Sequence, residues 1–143
     1  MTKILLIENE AFLRKLYSEF LSMSKYEVHS AENGRTGLDK IGMVLPDLII
    51  LDIRMPVMDG AEFLKYKTKD LKYRKIPVLL LTGIPNQEEI NECLDLGALG
   101  YVEKSTHPVD LLNKIEKILS KPAQKEVSTI TPNREELYDI ENL

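Results

Sequence analysis

Residues 48 to 60 read LIILDIRMPVMDG. Four apolar residues in a row end at an acid, Asp52, and Pro56, Asp59 and Gly60 then punctuate a turn. An apolar run of this length is a strand buried on both faces, and a carboxylate closing it is costly unless a counter-charge or a metal ion meets it. The same pattern recurs along the chain. Ile4 to Ile7 run straight into Glu8, Asn9 and Glu10, and Pro77 to Leu81 run into Thr82. With Asp47 to Leu51 these are the main strand candidates; Glu27 to Ser30 and Gly100 to Val102 are weaker ones.

Segments of helical period lie between the strands. Phe12, Leu13, Leu16, Tyr17, Phe20 and Leu21 fall on one face, as do Leu111, Leu112, Ile115, Ile118 and Leu119. Gly34 to Met43 and Gly60 to Lys67 are shorter helices, and Asn86 followed by Glu89 has the spacing of a capping box that opens another. Pro108 marks the start of the last helix. The order βαβαβαβαβα, with strands apolar on both sides, predicts a parallel sheet covered by helices on both faces: a doubly wound α/β layer.

Bulk properties fit one such domain. The chain has 143 residues, 43% of them hydrophobic and 29% charged, as in ordinary soluble globular proteins. Its formal net charge of −4 argues against a nucleic-acid surface. The single Cys93 excludes an internal disulfide, and no apolar stretch approaches the ~20 residues that span a bilayer. A cytoplasmic protein is expected. Residues 1–121 form the domain; residues 122–143 read as a linker and tail, rich in Pro, Ser and Thr, with 2 basic and 5 acidic side chains. Within the tail, Thr131 and Pro132 could open a short helix bearing Leu137, Tyr138, Ile140 and Leu143. A frayed end is the favoured reading, and a docking helix the alternative. So short a tail cannot hold an output domain, so output is expected to pass through a separate protein or through onward phosphotransfer.

In open α/β sheets ligands bind outside the carboxyl ends of the strands. There the chain delivers Glu8 and Asn9, Asp52, Thr82 and Lys104, one group or pair from each of four strands. Two acids, an amide, a hydroxyl and an ammonium suit a hard cation with a phosphoryl group, and a carboxylate so placed can attack phosphorus. Taken singly each has a plainer role: Asn9 as a helix N-cap, Thr82 as a strand residue, Lys104 as a solvated lysine. Their coincidence across the sheet is the stronger signal. His29 and His107 lack metal-ligand spacing and are read as structural, and Cys93 as packed. The stretch KYKTKDLKYRK, residues 65–75, reads as a solvated basic face.

The segment LDIRMPVMDG resembles the phosphoacceptor segment of bacterial two-component response-regulator receiver domains, and LLLTG with Thr82 and GALGYVEK with Tyr101 and Lys104 fall into register with it. The resemblance covers residues 3 to 120. It implies a flavodoxin-like (βα)5 fold with strand order 2-1-3-4-5, and a phosphorelay switch rather than an enzyme. Asp52 would take a phosphoryl group from a histidine kinase or phosphotransfer protein. Mg²⁺ would be held by Asp52, the Glu8 and Asn9 position and the Arg54 backbone carbonyl. Lys104 would pair with the phosphoryl group, and Thr82 and Tyr101 would carry the switch to the surface of the fourth helix, fifth strand and fifth helix. That surface would meet a downstream target protein or a second copy in a homodimer.

Three departures from the family pattern stand out. Asn9 replaces the metal-binding aspartate, so Mg²⁺ should bind weakly; a phosphate-independent interaction module is the alternative function. Ser105 stands where the family has a proline after a cis bond. A cis bond without proline costs about 2.5–4 kcal/mol, so the loop is either trans or strained. Arg54 lies beside the metal position and is read as solvated, with a phosphate contact as the alternative. A haloacid-dehalogenase-type hydrolase would need an acid where Arg54 stands.

Overall fold

The computed structural model describes residues 1–120. The tail, with the choice between a frayed end and a short helix, lies outside the described residues. Ten elements alternate along the chain: β1 (Lys3–Ile7), α1 (Ala11–Met23), β2 (Glu27–Ala31), α2 (Gly34–Val44), β3 (Leu48–Asp52), α3 (Gly60–Lys69), β4 (Val78–Thr82), α4 (Gln87–Asp95), β5 (Gly100–Glu103) and α5 (Pro108–Leu119). All five strands are parallel in the order β2-β1-β3-β4-β5, the doubly wound, flavodoxin-like arrangement expected from the sequence.

The apolar runs fill the sheet because each residue has a helix layer to face. Ile4 and Leu6 of β1 point into one core with Tyr17 and Leu21 of α1 and Leu111, Ile115 and Ile118 of α5. Leu5 and Ile7 point into the other, with Ile41 of α2, Phe63 and Leu64 of α3, and Ile90 and Leu94 of α4. Parallel register places Ile7 beside Leu51, and Asp52 beside Leu81, so the polar residues that follow the strands surface at one edge.

Local chemistry sets the helix starts. Asn33, Asp59 and Asn86 accept from the backbone N–H three residues on, at Thr36, Glu62 and Glu89. His107 accepts from Val109 ahead of α5, whose first residue is Pro108. His29 pairs with Glu27 at 2.8 Å on the edge strand, and Cys93 is buried. Both histidines and the cysteine are thus structural.

Two expectations fail. The apolar face of α1 is narrower than its sequence pattern: Tyr17 and Leu21 are buried and Leu13 and Phe20 pack against the same core, while Phe12 is 75% exposed and Leu16 48%, because these two lie at the rim of the helical stripe. The basic stretch 65–75 is not uniformly solvated either. Lys67 is buried on α3, its ammonium donating to the Arg74 carbonyl at 3.0 Å. Among the described residues no helix is long and apolar enough to cross a membrane.

Candidate functional site

The carboxyl edge of the sheet gathers the side chains that end β1, β3, β4 and β5. Glu8 is fully buried and Asp52 is 2% exposed. Lys104, one residue past β5, is anchored by its N–H on the Thr82 carbonyl and by its own carbonyl, which accepts the Tyr17 hydroxyl at 3.2 Å. Its ammonium reaches back across the edge to Glu8 Oε1 at 3.0 Å, Asp52 Oδ2 at 3.2 Å and Glu10 Oε1 at 3.4 Å. One cation therefore faces two buried carboxylates and one exposed one.

The imbalance shows in the acidities. Burial and the neighbouring Glu8 push the Asp52 carboxyl up to about 6, against the downward pull of Lys104. Burial alone would lower Lys104, but Glu8 and Asp52 together hold it above the ordinary lysine value. Glu8 Oε2 accepts the Glu10 backbone N–H at 2.8 Å, while Oε1 is buried without a directed hydrogen bond, since the approach of Lys104 to it is not aligned as one. A buried carboxylate oxygen that accepts no hydrogen bond, beside a second buried carboxylate, is a donor set that fits a hard cation. Among the described residues no three acidic, imidazole or thiol side chains form a metal centre unaided. A cation here would draw on Glu8 and Asp52 with amide, carbonyl and water oxygens, as Mg²⁺ commonly does.

The other expected residues fall around this pair. Asn9 follows Glu8 at the turn into α1 but does not cap that helix: Glu10 holds the N-cap position, without a side-chain cap bond. Thr82 is 5% exposed, and its hydroxyl donates to the Ile84 carbonyl at 3.3 Å, in the loop after β4. Tyr101 is half-buried against the α4 side of the sheet, with the Lys114 ammonium 5.9 Å from its ring centre. No described peptide bond is cis, so the Lys104–Ser105 bond is trans. Arg54 is exposed but not merely solvated: Nε lies 2.9 Å and Nη2 2.8 Å from Glu89 Oε1 on α4. Val57, in the same loop, holds φ 72°, a left-handed conformation that a β-branched residue rarely adopts.

Sequence reasoning missed Arg14. Its guanidinium donates from α1 to the Glu8 carbonyl at 2.8 Å and the Asn9 carbonyl at 3.3 Å, fixing the turn that presents both residues. It also gave no role to Tyr17 beyond packing. Neither role has a local sequence signal, because each depends on how α1 lies over the strand ends.

Comparison with known proteins gives this site its family. The family model for the response regulator receiver domain matches residues 4–116. Chemotaxis protein CheY4 of Vibrio cholerae superposes with a TM-score of 0.77 at 34% identity, covering 82% of this chain and 98% of that one. A CheY-like receiver domain protein from Methanospirillum hungatei superposes with a TM-score of 0.81 at 28% identity, covering 87% and 98%. Regulatory protein AtoC of Escherichia coli is 36% identical over 111 residues, 78% of this chain but 23% of its own length. The chain spans between about a fifth and a little over half of the curated relatives it matches. The chain belongs to the response regulator receiver domain family. Members of that family serve two-component signalling, and phosphorylation and Mg²⁺ binding at the phosphorylation site are typical of them.

Proposed function

We propose that this chain is a phosphorylation switch in which Asp52 accepts a phosphoryl group from a phosphohistidine on a histidine kinase or phosphotransfer protein. The observation that carries the reading is the burial of Asp52 beside Glu8, with Lys104 3.2 Å away. An Asp52 oxygen forms the new O–P bond as the P–N bond breaks, and the bond electrons leave with the imidazole nitrogen. Lys104 turns from the carboxylates toward the transferred oxygens. Glu8, Asp52, the Asn9 amide and the Arg54 carbonyl would hold Mg²⁺, which neutralises charge on the transferring group when bound. With Asn9 in place of an acid the ion binds weakly.

The Thr82 hydroxyl donates to the loop carbonyl of Ile84, an exchange partner that a phosphoryl oxygen displaces. Moving Thr82 opens space for Tyr101, and the surface of α4, β5 and α5 changes its packing. A target protein reads that surface, or a second copy pairs through it. The chain works in the cytoplasm, without a nucleic acid or membrane partner, as a switch and not as a turnover enzyme. The domain comprises residues 1–121.

The test is intact mass after incubation with acetyl phosphate, with and without Mg²⁺, for the native chain, Asp52→Ala and Asn9→Asp. One added phosphoryl group that needs both Mg²⁺ and Asp52 is expected. Gain by the Asn9→Asp chain alone would favour a second reading, an interaction module independent of phosphate, which the amide at position 9 motivates. Partner binding that survives Asp52→Ala would favour it further.

A further inference from the structure

The Arg54–Glu89 pair lies outside the cluster around Lys104, yet it joins the two segments that the switch must couple. Arg54 stands two residues after Asp52, in the loop leading to α3. Glu89 is the third residue of α4. Nε of Arg54 donates to both oxygens of Glu89, at 2.9 and 3.2 Å, and Nη2 lies 2.8 Å from Oε1. The pair spans the rim of a groove of about 420 Å³ that is also lined by Met55, Pro56, Asp59 and Glu92.

This pairing has a cost visible in α4. Asn86 and Glu89 have the spacing of a capping box, in which each side chain bonds the other residue's backbone N–H. Only half of it forms: Asn86 Oδ1 accepts the Glu89 N–H at 3.1 Å, while the Glu89 carboxylate is turned away to Arg54. Glu89 therefore has two alternative partners, the guanidinium and the Asn86 N–H.

We propose that Arg54 exchanges Glu89 for the phosphoryl group, and that the freed Glu89 closes the capping box of α4. The inference rests on the reading of Asp52 as phosphoacceptor and adds a route from that residue to α4 separate from Thr82 and Tyr101. The charges favour the exchange. A phosphoryl group carries more negative charge than one carboxylate and offers the guanidinium the same forked acceptors. The pair that must break is mostly in water, with side-chain exposures of 63% and 37%, where ion pairs are weak and readily traded.

The experiment measures the loading rate by acetyl phosphate with Mg²⁺, followed as intact mass, in the native and Asn9→Asp chains. Arg54→Ala should slow loading and Glu89→Gln, which weakens the competitor for Arg54, should speed it, each by ~2- to 5-fold, the scale of an exposed ion pair. The double variant should match Arg54→Ala, because Glu89 acts only through Arg54. Arg54→Lys should recover part of the rate. A structural role alone would slow both single variants together. Loading unchanged by Glu89→Gln, or slowed by it, overturns the inference while leaving Asp52 as phosphoacceptor. Failure of every chain to load at Asp52 overturns both. In the Arg54→Ala chain hydrogen exchange at the Asn86 amide should slow as Glu89 closes the box; unchanged exchange removes the capping step.

Discussion

Glu8 and Asp52 follow one another across the edge of the sheet and share a single cation, the Lys104 ammonium, at 3.0 and 3.2 Å. Both carboxylates are buried, so their repulsion is not screened by water. Folding thus brings together a charge excess that stability opposes and that the proposed phosphoryl transfer would use.

A pH dependence follows from that excess. The Asp52 carboxyl sits at about 6 in the folded chain, against an ordinary 3.8. Between those values the folded form binds more protons than the unfolded form, so stability falls as pH rises from about 4 to about 6 and stays lower above. Without Mg²⁺, Asp52→Asn should remove this slope and stabilise the protein by about 1–3 kcal/mol at pH 7.5. Denaturant unfolding at both pH values, in chelator, checks it; an unchanged slope would show that Asp52 is not the group under pressure.

Lys67 gives a slope of the opposite sign at higher pH. Burial pushes its ammonium down to about 8 from 10.5, and it donates to a carbonyl, that of Arg74, rather than to an acid. Below pH 8 the charged group is a burden in the folded state; between about 8 and 10.5 the unfolded form holds the extra proton, so stability rises with pH. Lys67→Met should stabilise the chain at pH 7 by about 1–2 kcal/mol, after the loss of the hydrogen bond to Arg74, and flatten that rise. Destabilisation by this change would mean that the hydrogen bond outweighs the buried charge.

These two residues also mark how far the sequence could be read. Asp52 was legible because an acid that ends LIIL has few inexpensive places to go, and the strand pattern put Glu8, Thr82 and Lys104 at the same edge. Lys67 was not, since six basic residues in eleven look like a solvated face, and only the return of the chain at Arg74 covers one of them. Phe12 and Leu16 misled for the converse reason: their helical period is right, but they lie at the rim of the stripe whose centre, Leu13, Tyr17, Phe20 and Leu21, meets the core. Arg54 with Glu89 and Arg14 with the Glu8 carbonyl join separate elements, and such pairings leave no mark in local spacing.

The turn after Asp52 should tolerate little change. A Cβ on Gly60 would lie 2.7 Å from the Asp52 carbonyl oxygen and 3.0 Å from Ile53 Cα, both backbone atoms that cannot swing aside. The Gly60 N–H also bonds the Ile53 carbonyl at 2.8 Å, so the approach is fixed from two directions. Gly60→Ala should cost about 1–3 kcal/mol of stability, on the scale of overpacking. It should also slow loading of Asp52 more than Gly83→Ala, whose Cβ would meet Lys104 Cδ at 3.9 Å, an ordinary van der Waals contact. Equal stability of the two variants in thermal unfolding would contradict the contact.

Asn9 supplies the sharpest test because its replacement should change sign with the metal. Arg14 holds the Asn9 carbonyl, so Asn9→Asp leaves the turn in place and adds only charge beside Glu8 and Asp52. In chelator a carboxylate added to Glu8, Asp52 and Glu10 should lower stability, by about 1 kcal/mol, since like charges near a partly buried site repel. In excess Mg²⁺ the same variant should be the more stable of the two, because a ligand that binds only the folded form stabilises it in proportion to its affinity. A charged oxygen in place of an amide should tighten Mg²⁺ roughly tenfold, equivalent to about 1.4 kcal/mol. Thermal unfolding of both chains across a Mg²⁺ titration should therefore give curves that cross. Parallel curves, with equal apparent affinities, would mean that position 9 does not face the ion, and the weak-site reading of this chain would have to be abandoned.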